Sequence, residues 1–292
     1  MNIDFEDLSA RYRQDGYLVL PRLVTGDLLR ELQETTRQLV KRAAAGELGH
    51  DPAFDVIEHA DGKRTLRRVT DPERAAPAYD RIMRFDPLVD IVAHLLGGSA
   101  RFDHGKLNFK PPGGGGALEW HQDWAFYPQT NDDMLAVGVM IEDCSLDNGP
   151  LMVIPGSHRG PVFDHHQEGS FVGGISARRL GAEIQKAVPL TGPAGSISIH
   201  HVRLLHGSTE NRGSSDRPLL LCNYVAVDAF PIFHAYDWQE FNARILRGTK
   251  TNVPRVEALP IRVPLPAPKT DDRYSTGSIF ALQERMEGGA IL

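Results

Sequence analysis

The residues of this chain that could do chemistry begin at Trp120-His121-Gln122-Asp123-Trp124. In an extended strand, positions i and i+2 project from one face, so His121 and Asp123 can address a single metal ion together. A third candidate is His206 in Leu204-Leu205-His206-Gly207-Ser208, just past a strand and entering a loop. Two histidines and one carboxylate on one side of a metal leave open positions opposite, the facial arrangement of non-haem Fe(II) oxygenases. Eleven residues after His206 stands Arg217, at the start of the most apolar run of the chain, PLLLCNYVAV. The turn-rich residues between them predict neighbouring strands for His206 and Arg217. A guanidinium opening into an apolar interior needs an anion, and its planar fork suits a carboxylate. For Arg217 taken alone, an internal salt bridge with a core acid stays open.

A His-x-Asp pair is weak evidence, because the chain contains decoys. His59-x-Asp61 precedes Gly62 in a charged turn, and His166-x-Glu168 lies in a polar stretch. Both read as solvated loops. His158 in Pro155-Gly156-Ser157-His158 reads as the brace of a turn. His200 and His201 lie on one strand, where alternation sends one inward and one outward. Trp120 and Trp124 alternate away from the metal pair and read as core. Gly113-Gly114-Gly115-Gly116 lacks the strand–loop–helix context and the Lys-Ser/Thr of a phosphate loop.

The elements that must position these residues change character near residue 100. Before it, Phe5, Leu8 and Tyr12 recur at helical spacing up to Gly16, and residues 17–20 form a short strand closed by Pro21. Thr25 is the expected N-cap of an amphipathic helix through Leu28, Leu29, Leu32, Leu39 and Val40. Residues 58–69 read as an exposed hairpin and 88–96 as a further helix. From residue 100, apolar and polar residues alternate between turn clusters, which predicts an all-β sandwich or barrel. Strands are expected at 101–109, 119–123, 134–144, 151–154, 195–202 and 217–227, with a long insertion loop at about 160–186. A Pro-rich strand at 255–264 and a short helix near 278–286 complete the tail. No internal repeat is visible, so one domain spanning 1–292 is expected, with a mostly helical part (1–99), a β core (100–230) and a C-terminal extension (231–292).

Composition excludes other classes. With 38 acidic and 32 basic residues, a formal charge of -6 and no dense Lys/Arg run, nothing points to nucleic acid. No apolar stretch is long enough for a membrane span, and the charged N-terminus has no signal-peptide core. Two cysteines, Cys144 and Cys222, exclude a disulfide framework and make the cytoplasm the expected compartment. The terminal Gly-Ala-Ile-Leu lacks the peroxisomal address. Oligomeric state is not written in the sequence.

His121-x-Asp123, His206 and Arg217, in this order and spacing, resemble the Fe(II)/2-oxoglutarate dioxygenases of the phytanoyl-CoA dioxygenase family. DGYLVLPRLV (15–24), NFKPPGG (108–114) and DNGPLMVIPGSHRG (147–160) match that family's pattern, and the resemblance runs from about residue 10 to 228. It implies a double-stranded β-helix (jelly-roll, cupin-like) with helices packed outside. It also implies His121, Asp123 and His206 as iron ligands and Arg217 as the grip on the distal carboxylate of 2-oxoglutarate. Ser208 would be a second donor, with Asn108 or Lys110 also touching the cosubstrate. The reaction implied takes O2 and 2-oxoglutarate, releases succinate and CO2, and hydroxylates or otherwise oxidises a small-molecule substrate. Related halogenases lose the carboxylate ligand; Asp123 is present here. Where the family's acyl-CoA enzyme has a tryptophan beside the site, this chain has Gly138, which implies a differently shaped pocket. Phe126, Tyr127, Gly138 and Met140 are candidate pocket residues. The alternatives are a zinc or nickel cupin using the same site for non-oxidative chemistry, and a binding module that kept the barrel and lost activity. Residues 160–186 and the tail after Phe230 are the expected lid elements.

Overall fold

The computed structural model describes residues 3–113, 116–233, 235–266, 279–283 and 286. Helix α1 (Phe5–Asp15) opens at Asp4, whose carboxylate accepts from the amides of Glu6 and Asp7. It closes at Gly16, where φ is 78° and the amide donates to the Tyr12 carbonyl. A side chain there would meet the His158 ring at 2.3 Å, so both the backbone conformation and the close approach demand glycine. Helix α2 (Gly26–Ala44) follows Thr25, which stands at the N-cap position without a side-chain bond. Its stripe Leu32, Thr36, Leu39 and Ala43 is buried. The short helices α3 (Pro72–Ala75) and α4 (Pro77–Met83) lead into α5 (Asp86–Leu95).

The strands are β1 (Tyr17–Leu20), β2 (Phe54–Glu58), β3 (Arg64–Thr70), β4 (Ala100–Lys110), β5 (Leu118–His121), β6 (Met134–Met140), β7 (Leu151–Val153), β8 (His166–Gln167), β9 (Ser170–Phe171), β10 (Val188–Leu190), β11 (Ile197–His201), β12 (His206–Ser208), β13 (Arg217–Val225) and β14 (Ile245–Arg247). They form a large antiparallel sheet in the order β1-β11-β6-β13-β4-β3-β2, with β14 beside β4, and a small sheet β10-β7-β12-β5. The helices cover the outer face of the large sheet through Leu107, Val137, Leu220 and Cys222. The inner faces of the two sheets meet through Met140, Leu219 and Leu221 on one side and Leu151, Val153 and Leu190 on the other. This is the jelly roll with outer helices.

Register lays the inner face of the large sheet out in rows. Lys106 lies opposite Leu221, which lies opposite Gly138, which lies opposite Ser198. The next row down is Asn108, Leu219 and Met140, and below it Lys110 faces Arg217. The row above is His104, Asn223, Ala136 and His200. Directly opposed residues share a face, so each row is a set of neighbours inside the barrel.

Several expectations change in the structure. The strand expected at 119–123 ends at His121, and Asp123 starts a 3-10 turn, Asp123–Ala125. His206 and Arg217 belong to opposed sheets, not to neighbouring strands, because the turn between them carries the chain across the barrel. The hairpin near 58–69 is not simply exposed: β3 pairs with β4 and buries Leu66, Arg68 and Val69. Residues 255–264 form no strand, since Pro260 and Pro264 lack the amide a ladder needs. The insertion at 160–186 carries β8, β9 and the helix α6 (Ala177–Leu180). The extension holds α7 (Trp238–Ala243) and α8 (Ile279–Gln283); residues 278, 284 and 285 of the expected helix lie outside the described residues, as do Gly114 and Gly115. Among the described residues, no helix is long and apolar enough to cross a membrane.

Candidate metal centre

Strand β5 presents Trp120 to an outer apolar cluster with Ile154, Ile175 and Leu205, and so turns His121 inward. The next residue, Gln122, takes the chain out of the strand. Its side chain donates to the carbonyls of Pro161 and Arg203 and accepts from the Phe163 amide. Its own amide donates to His165 Nε2 at 2.9 Å. That fixed exit brings Asp123 back beside His121 although it has left the strand. Strand β12 starts at His206, directly opposite His121, and the two rings stand 4.0 Å apart.

One ligand atom from each of His121, Asp123 and His206 falls within 4.8 Å of the other two, and all three residues are buried. His121 Nε2 is 4.0 Å and His206 Nε2 3.9 Å from Asp123 Oδ1. Each histidine donates through Nδ1, His121 to the Glu119 carbonyl (2.8 Å) and His206 to the Leu204 carbonyl (2.9 Å). This sets the tautomer that leaves both Nε2 lone pairs facing Asp123. Burial pushes His121 down to about 4 and holds His206 well below the usual range, so both rings are neutral donors at neutral pH. Burial opposes the charge on Asp123, but Lys106, then His206 and His200, more than offset it and hold the carboxyl well below the usual range.

Of the pair whose inward member alternation left open, His200 is the one that faces in. Its Nε2 lies 3.4 Å from Asp123 Oδ2 and its ring 4.5 Å from His206. His201 instead faces Tyr12 and His158. We expect His200→Ala to weaken iron binding by about 10–100-fold while the apoprotein stays folded, read by metal analysis after dialysis. Wild-type iron retention would show that His200 only fills space. The sequence reading did not name Lys106, which shares on β4 the inward parity of Asn108 and Lys110. His59, in a loop, is tied to Thr65, whereas His166, expected in a solvated loop, lies on β8 opposite Phe171 and bonds Asp164; neither joins the cluster. His158 bonds the Arg13 carbonyl at the end of α1.

Phe126 presents its ring edge-on to His121 at 6.0 Å, and Tyr127 lies 4.4 Å from the His104 ring. Gly138 and Met140 lie on β6 further down the barrel. A side chain at Gly138 would stand 2.5 Å from Ser198 Oγ, with Leu219 and Leu221 beyond, so the space of a larger residue is already filled.

Below the triad, Ser208 continues from His206 along β12, and its buried Oγ has no hydrogen-bond partner. Asn108 Oδ1 and Arg217 Nε are likewise buried and unpartnered. Arg217 donates through one terminal nitrogen to the Gly149 carbonyl. Burial lowers its pKa, and the group that opposes this is the Cys144 thiol, with no carboxylate contributing. Lys110 donates to the Thr209 carbonyl, and burial, then Arg217, push it down to about 6. The insertion and the tail strap this end of the barrel: Ile175 bridges Trp120, the Trp124 indole donates to the Pro260 carbonyl, and Gln283 accepts from the Glu119 amide.

A jelly roll with an inward His-Asp-His cluster and a buried arginine that no carboxylate pairs defines the class of non-haem iron oxygenases. The family model described as phytanoyl-CoA dioxygenase (PhyH) matches residues 12–219, and the chain belongs to that family. A probable alpha-ketoglutarate-dependent hypophosphite dioxygenase from Stutzerimonas stutzeri is 34% identical over 92% of this chain and 95% of its own length. An L-proline trans-4-hydroxylase from Streptomyces griseoviridis is 28% identical over 77% of this chain and 88% of its own. The crystal structure of EctD from S. alaskensis with 2-oxoglutarate and 5-hydroxyectoine superposes with a TM-score of 0.65 at 25% identity, covering 86% of each chain. The chain is an enzyme of the Fe(II)- and 2-oxoglutarate-dependent dioxygenase class. That assignment selects the oxygenase reading over a zinc or nickel cupin and over a silent binding module.

Proposed function

We propose that this enzyme oxidises a compact, polar small molecule, with His121, Asp123 and His206 as the iron ligands and Arg217 and Ser208 as the grip on 2-oxoglutarate. The observation that carries the reading is the pairing of two neutral imidazoles around Asp123 with a buried arginine that has no carboxylate of its own. The residues fit both groups. Two nitrogens and one carboxylate oxygen on one side suit a ferrous ion with open positions. The unpartnered Arg217 Nε, Ser208 Oγ and Asn108 Oδ1 mark a polar pocket that a dicarboxylate can fill.

In the overall reaction, 2-oxoglutarate, O2 and R–H give succinate, CO2 and R–OH. Bound iron(II) supplies the redox chemistry that couples the decarboxylation to substrate oxidation. The protein's share is positional. The Glu119 and Leu204 carbonyls hold the ligand rings, His200 braces Asp123, and Arg217 sets how deep the cosubstrate reaches. Phe126 shields the metal side from water, and Lys110 secures the loop that follows Ser208. The relatives named for hypophosphite, L-proline and ectoine act on small polar molecules, which supports such a substrate here over an acyl-CoA thioester. Two buried free thiols fit a reducing cytoplasm, and we take 1–292 as one domain.

Anaerobic titration of the iron-loaded protein with 2-oxoglutarate tests the reading. A visible charge-transfer band that grows and saturates is the expected result. Full iron occupancy without a band would retire the cosubstrate assignment.

A further inference from the structure

The metal and cosubstrate assignments leave two cations inside the barrel unaccounted for. On β3, Arg68 lies opposite Asn108 and Thr70 opposite Lys106, so Arg68 and Lys106 issue from the inner face of adjacent strands. Both are more than nine-tenths buried, Arg68 at 7% and Lys106 at 8% exposure. Arg68 Nε has no partner. The Lys106 ammonium sits 5.8 Å over the Tyr127 ring and makes no hydrogen bond or ion pair among the described residues. Burial depresses Lys106, Asp123 is the carboxylate that opposes this, and Arg68 adds to the depression.

The charges around them do not balance without a further ligand. Iron(II), the Asp123 carboxylate and the 2-oxoglutarate dianion together carry one net negative charge, which Arg217 cancels. Lys106 and Arg68 then stand as two largely buried positive charges on the inner face of the barrel, an arrangement that is costly unless paired. Among the described residues, Glu73, Asp103 and Glu119 do not supply the pairing. Glu73 packs against Gly105 and Cys222 on the outer face of the sheet, and Asp103 is taken by His104. Glu119, the second inward residue of β5, is raised to about 7 by burial and lines the cavity beside the loop after β4. Lys106 faces the Tyr127 ring, which lies 5.8 Å from the Phe126 ring that stands edge-on to His121, so a group bound to Lys106 lies on the metal's side of the barrel. Tyr127, the wall beside Lys106, also lines a cavity of about 400 Å³ together with Gln129, Pro231, Tyr236 and Phe241.

We propose that Lys106 and Arg68 form a subsite for the anionic group of the substrate, so that the molecule oxidised is a compact oxyanion held between this pair and the metal, with Tyr127 as its wall. The inference rests on the iron and 2-oxoglutarate reading and names the substrate class that reading leaves open. A phosphorus oxyanion and a carboxylate share the required chemistry.

The test uses the anaerobic iron–2-oxoglutarate enzyme, with the visible band and calorimetry as readouts. It is titrated with hypophosphite and methylphosphonate, with acetate and L-proline, and with neutral acetamide, in the wild type and in Lys106→Met, Lys106→Arg and Arg68→Met. Methionine replaces a buried cation by an apolar chain of similar volume, a change that buried sites tolerate. At least one anion is expected to shift the band saturably while acetamide does not, and the class that binds identifies the source. Lys106→Met should raise that anion's apparent Kd by about tenfold or more, the loss of a charge-assisted bond, with iron content and the 2-oxoglutarate titration unchanged. Lys106→Arg should restore much of the binding, and Arg68→Met should weaken it in the same direction. A normal band with no response to any anion would overturn the subsite alone, as would anion binding untouched in both methionine variants. So would a loss in Lys106→Met confined to 2-oxoglutarate, which would give Lys106 to the cosubstrate. Absence of the band in the wild type would instead overturn the cosubstrate reading beneath it.

Discussion

His121→Ala and Asp123→Ala enzymes are expected to lose iron affinity by more than the roughly 10–100-fold that removing a ligand's supporting partner costs, and to make no succinate above background. The two variants share that outcome and differ in stability, for a reason visible in the charges. His121 is neutral in the folded protein, so its loss removes packing and one hydrogen bond to the Glu119 carbonyl but strands no charge. Asp123 is the carboxylate that offsets the buried Lys106, so its loss leaves that ammonium uncompensated. A buried lysine without a partner gives up its proton more readily. Its folded pKa then lies further below its unfolded value, and the unfolded chain binds more protons across that window. Stability of Asp123→Ala should therefore rise more steeply than that of His121→Ala as pH climbs toward the unfolded lysine pKa of about 10.4, because in His121→Ala the Asp123 carboxylate still opposes the depression of Lys106. Metal analysis, succinate assay and thermal melts of the apoproteins between neutral and alkaline pH check both halves. Wild-type turnover in either variant would remove these residues from the metal site.

The chemistry of the site was legible in the sequence where it depended on residue type and spacing. His121, His206 and Arg217 each sit at the edge of an apolar strand, where a polar group turned inward needs a reason. Their sheet assignments were not legible. The Gly-Ser-Thr-Glu-Asn-Arg-Gly segment after His206 signals a turn, yet nothing local says whether it makes a hairpin or crosses to the opposite sheet. Asp123 was paired with His121 by strand alternation, but the structure brings it there through a 3-10 turn fixed by Gln122 and His165, a tie to residues some forty positions away. Alternation also gives parity without phase: it says that His200 and His201 point opposite ways, and only the pairing of His200 with Ala136 decides which points in. Lys106 was passed over because a lone lysine in a strand reads as solvent-facing until β3 and β13 are seen on both sides of it. In the tail, extended segments hold by contacts such as Trp124 to Pro260 and Arg255 to Asp228, which leave no periodicity to read.

Arg217→Met is expected to raise the apparent constant for 2-oxoglutarate by about 10–100-fold, the range set by losing one or two hydrogen bonds to a charged group. Iron content should not change, because Arg217 makes no contact with His121, Asp123 or His206. Stability separates this role from the structural alternative. A guanidinium bound into a core salt bridge leaves its partner stranded when removed, at a cost of about 3–5 kcal/mol. Arg217 has no such partner: its bond goes to the Gly149 carbonyl, its Nε is unsatisfied, and no carboxylate opposes the effect of burial on its charge. In the absence of 2-oxoglutarate it is a buried charge awaiting an anion, so methionine should leave the apoprotein as stable as the wild type or more so. The cosubstrate's own stabilising effect should fall in parallel, since a ligand raises the melting point only as far as its affinity allows. Melting curves with and without saturating 2-oxoglutarate, in both proteins, measure the two quantities together. An apoprotein destabilised by several kcal/mol, with an unchanged response to 2-oxoglutarate, would assign Arg217 to the core and leave the distal carboxylate to be held elsewhere.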